Sequence, residues 1–292
     1  MLFVNKPLVI GVNCHRSHTH YKQELPVSNL DSFFATVKLP TMSEVAHQLI
    51  KTLNKDDVSV TEVRDIIAKD PALTAKLLRL ANSAQFGLPR GVHSLDDAIH
   101  MVGMAKVRTL SVGACLNESF PSVPGLDQQT FWQTSMACAG YAQWLAGALS
   151  MDVQQAWLTG MMLRLGELLI AQADPKALTE VEKLPKLPGG RWEREKRLIG
   201  FSEGQITAEL ARRWNFPLQM VQALERSYDP LVEQAFSRLG AVIHLAGILA
   251  DVPHAKAQDI DHLPVDVIEK LSLDVGWLKD KLPSCDTFVS IH

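Results

Sequence analysis

Helix-start signals followed by apolar residues at steps of three and four recur along this sequence, and they constrain its fold more than any other feature. In the clearest case Asp70, a preferred N-cap residue, precedes Pro71, which is favoured at the first helical position. Ser94 marks another start, and Thr41 with Glu44 three places later fits a capping box. The alternating apolar and polar runs that are typical of half-buried strands are not found. The sequence therefore predicts an all-α fold.

A proline- and glycine-containing stretch divides the helical pattern into two parts. Pro121-Ser122-Val123-Pro124-Gly125 cannot continue a helix, so it is the predicted boundary between two lobes. We expect an N-terminal extension at 1–38, a helical lobe at 39–122, a helical bundle at 123–252 and a C-terminal segment at 253–292 that packs on the bundle. In the second half the expected helices lie at about 127–149, 153–173, 175–184, 191–199, 202–214, 217–227, 231–251 and 264–271.

The charge balance of the chain argues against binding driven by overall electrostatics. The formal net charge is −3 over 292 residues, so the chain as a whole attracts neither nucleic acid nor anionic lipid. The first predicted lobe does contain a set of basic residues that invites comparison with helix-turn-helix proteins: Lys76, Arg79, Arg90, Lys106 and Arg108. Acidic residues lie among them, so we expect a solvated surface of mixed charge rather than a nucleic-acid interface.

Cysteine spacing and hydropathy indicate a reducing compartment and no membrane association. Cys14, Cys115, Cys138 and Cys285 form no CxxC motif, so they are expected to be reduced thiols. An N-terminal apolar run at 8–12 is too short to cross a bilayer and lacks a signal cleavage site. We therefore expect a cytoplasmic protein.

A series of short motifs follows in order along about residues 35–250. The motifs are Leu39-Pro40-Thr41-Met42, Asp70-Pro71-Ala72-Leu73, Leu80-Ala81-Asn82-Ser83, Ala98-Ile99 with Val102-Gly103, Phe131-Trp132, Gly160 with Gly166, and Trp214-Asn215-Phe216-Pro217. In this order they resemble the HDOD domain, a bacterial signalling-output relative of the HD phosphohydrolases. The resemblance implies a helical N-terminal lobe packed on a degenerate HD-like bundle, and a signalling role without catalysis.

The resemblance also assigns the positions at which an HD phosphohydrolase carries its metal ligands. The first His position falls at Thr134, the His-Asp pair at Leu163-Arg164, the next His at Glu203, a His-His pair at Ser227-Tyr228 and the final Asp at Gly247. Only Glu203 keeps a ligand type, and its carboxylate is expected to stand alone. Metal-assisted hydrolysis needs several converging ligands and an open position for water. We therefore expect no metal, no cofactor and no catalytic residue.

Arg164 is the most consequential of these substitutions, because a guanidinium group is permanently charged and offers no lone pair to a metal ion. We hypothesise that Arg164 pairs with Glu203, since an unpaired buried charge is strongly unfavourable. The alternative is that Arg164 reaches water at the rim of the bundle. A pocket near Thr134, Arg164, Glu203 and Tyr228 is the expected place for a small molecule.

Two further groups of residues have structural interpretations that compete with functional ones. Asn82-Ser83 is expected to tether the chain locally rather than to recognise a ligand, and the tryptophans Trp132, Trp157 and Trp214 are expected to pack the lobes together. The segment with Cys14, His15, His18 and His20 is expected to be a tail without fixed metal geometry.

The expected function is that of a non-catalytic signalling module that binds an unknown signalling protein or a small ligand, for instance at the interface between the lobes. A phosphohydrolase with a relocated metal site and a nucleic-acid-binding regulator are the alternatives. The sequence leaves the partner, the input signal and the oligomeric state open.

Overall fold

The computed structural model describes residues 30–83, 91–182, 188–232 and 236–289. Within these ranges the chain forms seventeen α-helices and one 3-10 helix, without any β-strand, so the prediction of an all-α fold is confirmed. None of the described helices combines the length and the apolar composition needed to cross a membrane. The helices are α1 Leu30–Thr36, α2 Glu44–Leu53, α3 Val60–Ala68, α4 Pro71–Ala81, α5 Leu95–Val102, α6 Met104–Ser119, α7 Gln128–Ala148, α8 Val153–Met162, α9 Leu165–Ala173, α10 Pro175–Glu182, α11 Gly190–Ile199, α12 Glu203–Arg213, α13 Leu218–Arg226, α14 Arg238–Ala250, the 3-10 helix Ala257–His262, α15 Val265–Leu271, α16 Val275–Lys281 and α17 Asp286–Val289.

The first lobe, α2 to α6, consists of short helices whose starts are set by side-chain caps. Ser59, Asp70 and Ser94 each accept a hydrogen bond from a backbone amide of the first turn, as the sequence predicts for Asp70 and Ser94. The predicted capping box at Thr41 is wrong. Helix α2 begins at Glu44, so its N-cap is Ser43 rather than Thr41. The Ser43 hydroxyl accepts a hydrogen bond from the backbone amide of Ala46 at 3.1 Å.

Two motif positions of the first lobe, Asn82 and Gly103, hold the chain where helices end. The side-chain amide of Asn82 donates to the carbonyls of Leu78 at 2.8 Å and Val92 at 2.7 Å, and its oxygen accepts from the amide of Val92 at 2.7 Å. The prediction that Asn82 tethers the chain locally is confirmed. Gly103 separates α5 from α6 with a φ of +94°, a value that favours glycine.

The second lobe is centred on α7, α8 and α14, which pack closely because small residues lie between the helices. A Cβ atom at Gly160 in α8 would lie 2.9 Å from both the Ala142 Cβ and the Cys138 carbonyl oxygen in α7. A Cβ atom at Gly166 would collide with the backbone carbonyl of Glu203 at the start of α12. Both motif glycines are therefore explained by close helix approach.

Two helices of the second half differ in their bounds from the sequence predictions, and three helical segments form that the sequence does not predict. The predicted helix over 153–173 is interrupted at Leu163 and Arg164, where α8 ends and α9 begins. The predicted helix over 231–251 begins only at Arg238, after the N-cap Ser237. In addition, the 3-10 helix, α16 and α17 form where the sequence predicts no helix. The first error arises because apolar residues continue on both sides of the break, so the periodicity gives no sign of it.

The predicted N-terminal extension is not entirely a loose tail. It contains α1, in which Phe34 is buried, and the Arg213 guanidinium of α12 lies 4.5 Å from the centre of the Phe34 ring. This contact docks α1 on the end of α12. The part of the extension that contains Cys14, His15, His18 and His20 lies outside the described residues.

Aromatic side chains lie between the two lobes. The rings of Phe120, at the end of α6, and Trp214, after α12, meet edge to face with centroids 6.0 Å apart. Trp157 of α8 packs against Gly113 of α6, where a Cβ atom would lie 3.2 Å from the indole ring. Trp132 of α7 lines a cavity between the same helices. The prediction that the tryptophans pack the lobes together is confirmed for Trp157 and Trp214.

The C-terminal segment packs back on α7 through aromatic contacts. The rings of Trp144 and Trp277 are stacked with centroids 5.3 Å apart and planes 12° apart. Phe288 of α17 meets Tyr141 edge to face at 5.2 Å, and its ring occupies the space left by the absent side chain of Gly140. These contacts hold α16 and α17 on the bundle. The division of the chain into segments at 38, 122 and 252 stays a prediction.

Candidate functional site

Arg164 lies at the break between α8 and α9, and only 4% of it is exposed. Its Nη2 donates a hydrogen bond to Asp251 at the C-cap of α14, and its Nη1 lies 3.9 Å from Glu203 and 3.9 Å from Glu167. The predicted pairing of Arg164 with Glu203 is present, and the alternative in which Arg164 reaches water at the rim is wrong. Asp251, which the sequence did not indicate, is the hydrogen-bonding partner.

A second guanidinium group, that of Arg191 in α11, shares two of these carboxylates and contacts two others. Its Nε donates to Glu195 at 2.8 Å and lies 3.4 Å from Glu203. Its Nη2 lies 3.2 Å from Glu167, and its Nη1 pairs with Glu182. The prediction that the carboxylate of Glu203 stands alone is therefore wrong. We define the arginine-carboxylate centre as Arg164, Arg191, Glu167, Glu195, Glu203 and Asp251.

The local structure explains why Glu203 is directed into this centre. Glu203 is the first residue of α12, whose start is fixed by a capping box between Ser202 and Gln205. The indole N–H of Trp192 donates to Oε1 of Glu203 at 3.0 Å, and the backbone amide of Glu203 donates to Glu195 at 2.7 Å. Since Glu203 is 0% exposed, its carboxylate is balanced by the guanidinium groups of Arg164 and Arg191 and by the indole N–H rather than by water.

Burial and mutual repulsion shift the protonation equilibria of the centre. Burial first, and then the neighbouring carboxylate of Glu203, raise the pKa of Glu195 to about 8. Burial also raises the pKa of Glu167. Burial alone would lower the pKa of Arg164, but the charges of Asp251 and Glu203 outweigh it and hold that pKa above its ordinary value. The guanidinium groups stay charged, and the excess of carboxylates favours retention of a proton near neutral pH.

The other positions assigned to HD ligands lie in different surroundings. Leu163 and Ser227 are fully buried, and the Ser227 hydroxyl donates to the Leu224 carbonyl at 2.7 Å. The Tyr228 hydroxyl donates to Glu193 at 2.7 Å, away from the centre. Gly247 is covered by an indole ring, since a Cβ atom there would lie 2.9 Å from Trp192.

A cleft of about 570 Å³ opens onto one side of the arginine-carboxylate centre. Thr134 and Arg164 line it, as predicted for a small-molecule pocket, together with Arg191 and Asp251. The predicted inclusion of Glu203 and Tyr228 is wrong, because Glu203 is buried beneath the guanidinium groups and Tyr228 points to Glu193. The lining is strongly charged, so the cleft suits water or polar groups better than an apolar ligand.

Three potential metal ligands lie at the edge of this cleft. His254 follows α14, and Cys285 and Asp286 lie at the start of α17. Among the described residues, this is the only group of three His, Cys, Asp or Glu side chains whose ligand atoms all lie within 4.8 Å of one another. The buried carboxylates of the arginine-carboxylate centre do not converge in this way.

A second cavity, of about 320 Å³, lies between the lobes and is mainly apolar. It is bounded by α4 and α6 on one side and by α7 and α8 on the other, and we call it the lobe cavity. Trp132, Met136, Trp157, Met161, Leu80 and Leu110 supply most of its apolar wall. The polar atoms come from Asn117, Gln129, Gln133 and Lys76, and Lys76 also pairs with Glu118 at 3.1 Å.

Sequence reasoning missed several residues of the centre, and for two of them a signal existed. Glu167 follows Arg164 by three positions, a spacing that places both side chains on one helical face. Asp251 lies one helical turn after the assigned position Gly247. No comparable signal marks Arg191 and Glu195, whose spacing is also common on exposed helices.

Comparison with known proteins agrees with the motif series. The HDOD domain family matches residues 39–230. A protein of Treponema pallidum (strain Nichols), named "Uncharacterized protein", is 24% identical over 208 residues, covering 66% of this chain and 40% of that protein. The chain thus spans about two fifths of that relative's length.

Solved structures share the same fold over most of the chain. A "Putative phosphohydrolase" from Shewanella amazonensis SB2B is 27% identical with a TM-score of 0.69, and the match covers 87% of this chain and 92% of that one. An HDOD domain protein of unknown function from Geobacter sulfurreducens is 21% identical with a TM-score of 0.70, covering 91% and 96% of the two chains.

Proposed function

The chain belongs to the HDOD domain family, and on that basis we propose that it is a non-catalytic module of bacterial signal transduction that binds a small ligand between its two lobes. The observation that carries the non-catalytic part is the burial of Arg164, the residue at a position that the motif resemblance assigns to an HD metal ligand, in a pair with Asp251. A protein partner at the same interface is the alternative mode of action.

The arginine-carboxylate centre supports the absence of an HD-type metal reaction on chemical grounds. A catalytic divalent ion requires several lone-pair donors and one open position. Arg164 and Arg191 offer no lone pair, and their charges oppose a cation. The carboxylates that could bind an ion already pair with the two guanidinium groups, and breaking such buried pairs is costly. The residues present therefore do not fit the metal implied by the HD relatives.

The lobe cavity supports the ligand-binding part of the proposal. Its volume falls in the range of small-molecule pockets, and its wall is mainly indole, thioether and aliphatic. Its polar groups are chiefly the side-chain amides of Asn117, Gln129 and Gln133, which both donate and accept hydrogen bonds. The lysine at its edge is already paired with Glu118. A neutral, planar and mainly apolar molecule fits this chemistry best. Because both lobes form the wall, such a ligand would favour one relative arrangement of the lobes.

Ligand binding is tested with N-phenyl-1-naphthylamine, a neutral aromatic probe that fluoresces in apolar surroundings. Ala114→Leu adds three carbons to a residue that lines the lobe cavity, and Ala148→Leu makes the same change at an exposed position at the end of α7. We expect Ala114→Leu to weaken probe binding by about tenfold or more, equal to about 1.4 kcal/mol. We expect Ala148→Leu to leave binding unchanged. Equal affinity of the two variants for the probe would show that the probe does not bind in the lobe cavity, which would contradict the proposal.

The non-catalytic part has a separate test. Purified protein is assayed with bis(4-nitrophenyl) phosphate and with nucleotides in the presence of Mg²⁺, Mn²⁺ or Co²⁺. We expect no turnover above that of protein from which metals have been removed. Metal-dependent turnover would instead favour a phosphohydrolase with a relocated metal site. The name of the similar Shewanella amazonensis protein, "Putative phosphohydrolase", and the ligand group at the cleft edge are the reasons to test for it.

A nucleic-acid-binding role has less support. Two of the basic residues that invited the comparison are engaged within the protein, since Lys76 pairs with Glu118 at 3.1 Å and Arg108 donates to the Thr52 carbonyl at 3.0 Å. Arg90 lies outside the described residues. Binding to an oligonucleotide that falls steeply with added salt would revive this alternative.

A further inference from the structure

The ligand group at the cleft edge combines three different donor atoms. Nδ1 of His254 lies 3.7 Å from Sγ of Cys285 and 3.6 Å from Oδ1 of Asp286, and Sγ lies 4.0 Å from the same oxygen. These distances are longer than those of strong hydrogen bonds between the same groups. The three side chains therefore face one another across a gap.

The size of this gap matches a tetrahedral metal site. With bonds of about 2.0 Å to nitrogen and oxygen and about 2.3 Å to sulfur, tetrahedral angles separate pairs of ligand atoms by about 3.3 to 3.6 Å. The observed separations exceed these by only a few tenths of an ångström, which side-chain rotation can close. A set of one nitrogen, one sulfur and one oxygen donor suits Zn²⁺, whereas Mg²⁺ and Ca²⁺ require oxygen donors.

Both arms of the group are anchored by contacts with the rest of the chain. On one side, the turn that carries His254 follows Asp251, which is held by Arg164. On the other side, α17 is held by the ring of Phe288, which packs against Tyr141 and the space at Gly140. The hydroxyl of Ser284 donates to the second carboxylate oxygen of Asp286, Oδ2, at 3.1 Å. Metal binding thus requires little rearrangement of the backbone.

We propose that His254, Cys285 and Asp286 bind a zinc ion, with water as the fourth ligand, and that the ion clamps the C-terminal segment to the turn after α14. The neutral imidazole binds through Nδ1, and the carboxylate through Oδ1. The thiol of Cys285 releases its proton to solvent as the Zn–S bond forms. This inference does not depend on ligand binding in the lobe cavity.

The test uses Co²⁺ as a spectroscopic substitute for Zn²⁺ in the full chain. Cys14→Ser serves as the parent protein, so that the histidine-containing N-terminal segment offers no thiolate. A tetrahedral thiolate site gives a sulfur-to-cobalt charge-transfer band and intense visible bands, and Zn²⁺ should displace the ion. We expect one equivalent of Co²⁺ to bind. Cys285→Ser should abolish the charge-transfer band, and His254→Gln should weaken binding by about tenfold or more, since even outer-shell partners act over that range.

The matched control is His262→Gln, which changes an exposed histidine of the 3-10 helix that is not part of the group. It should leave Co²⁺ affinity unchanged. Zinc should also slow trypsin cleavage after Lys281, which immediately precedes the clamped segment, in the parent but not in Cys285→Ser. Absence of the band in the parent, persistence of the band in Cys285→Ser, or equal losses in His254→Gln and His262→Gln would each overturn the proposal.

Discussion

Arg164 donates a hydrogen bond to Asp251 across a sequence separation of 87 residues, and this contact joins the break between α8 and α9 to the C-terminal end of α14. Glu203, at the start of α12, also lies 3.9 Å from the Arg164 guanidinium. Arg191 of α11 contacts Glu203 in turn, at 3.4 Å. Elements from distant parts of the second lobe therefore meet at one set of buried charges.

The Arg164–Asp251 pair should contribute far more to stability than an exposed pair of the same type. Asp251→Asn leaves the guanidinium of Arg164 buried with only its more distant carboxylates, so we expect a loss of about 3 kcal/mol in the free energy of unfolding. Asp261→Asn removes an exposed pair with Lys279 and should cost less than about 1 kcal/mol. Urea unfolding followed by circular dichroism measures both. Equal losses would mean that Arg164 is adequately paired without Asp251.

Glu195 should make the protein less stable as the pH rises. Its pKa is raised to about 8 in the folded protein by burial and by Glu203, against an ordinary value of 4.5. Between these values the folded state holds a proton that the unfolded state has released, so the free energy of unfolding falls with increasing pH, by at most about 1.4 kcal/mol per pH unit for one proton. Glu195→Gln should flatten the dependence between pH 5 and pH 8.

The control for this pH dependence is Glu193→Gln, an exposed change on the same helix. In this variant the free energy of unfolding should fall with pH as steeply as in the unmodified protein. Burial lowers the pKa of His244, which acts with the opposite sign, but that contribution is common to all three proteins. Glu195 accepts two hydrogen bonds, and glutamine can accept only one of them, so Glu195→Gln should also lower the free energy of unfolding at every pH. The comparison is therefore between the pH dependences of the free energy of unfolding and not between its values at one pH. A slope in Glu195→Gln as steep as that in Glu193→Gln would contradict the prediction.

The sequence predicts this fold well where local chemistry decides the structure. The helix starts at Asp70 and Ser94 lie where the N-cap preference of Asp and Ser predicts them. The motif series brought Arg164 and Glu203 to one centre, although they lie far apart in the chain. Local caps thus allow helix starts to be predicted from a single sequence, and the ordered motif series allows the Arg164–Glu203 contact to be predicted.

The rest of the centre depends on tertiary structure that local patterns do not encode. The hydrophilic sequence of α11 resembles a solvated helix, and Arg191 with Glu195 at a four-residue spacing is typical of an exposed pair, yet both are buried. The break at Leu163 and Arg164 was missed because apolar residues continue on both sides of it. Burial of a charge is decided by which other elements cover it, and the sequence of one helix does not contain that information.

The motif glycine Gly166 should tolerate no side chain. A Cβ atom there would overlap the backbone carbonyl of Glu203, which cannot rotate away, so Gly166→Ala should cost about 3 kcal/mol or more. Gly147→Ala has only ordinary contact with Val153, at 3.8 Å, and should be neutral or stabilising by up to about 1 kcal/mol through helix propensity. Thermal and urea unfolding distinguish the two.

Gly160→Ala provides an intermediate case if Gly166→Ala does not accumulate as folded protein. Its Cβ would lie 2.9 Å from the Cys138 carbonyl, a smaller overlap that a slight shift between α7 and α8 can relieve. The expected order of destabilisation is Gly166, then Gly160, then Gly147. A Gly166→Ala protein as stable as Gly147→Ala would show that α9 and α12 do not approach as closely as described.

The described cysteines should differ sharply in reactivity, with Cys285 the reactive one. Burial, with a contribution from Glu118, raises the pKa of Cys115 to about 11, and burial raises that of Cys138 to about 12, whereas Cys285 is partly exposed. Since the thiolate is the nucleophile, Cys14→Ser protein at pH 8 should react with a disulfide reagent at one thiol when folded and at three in denaturant. The additional change Cys285→Ser should remove the fast reaction. Two or more fast thiols would show that the bundle opens around Cys115 or Cys138, and a thiolate-to-metal band could then no longer be assigned to Cys285 alone.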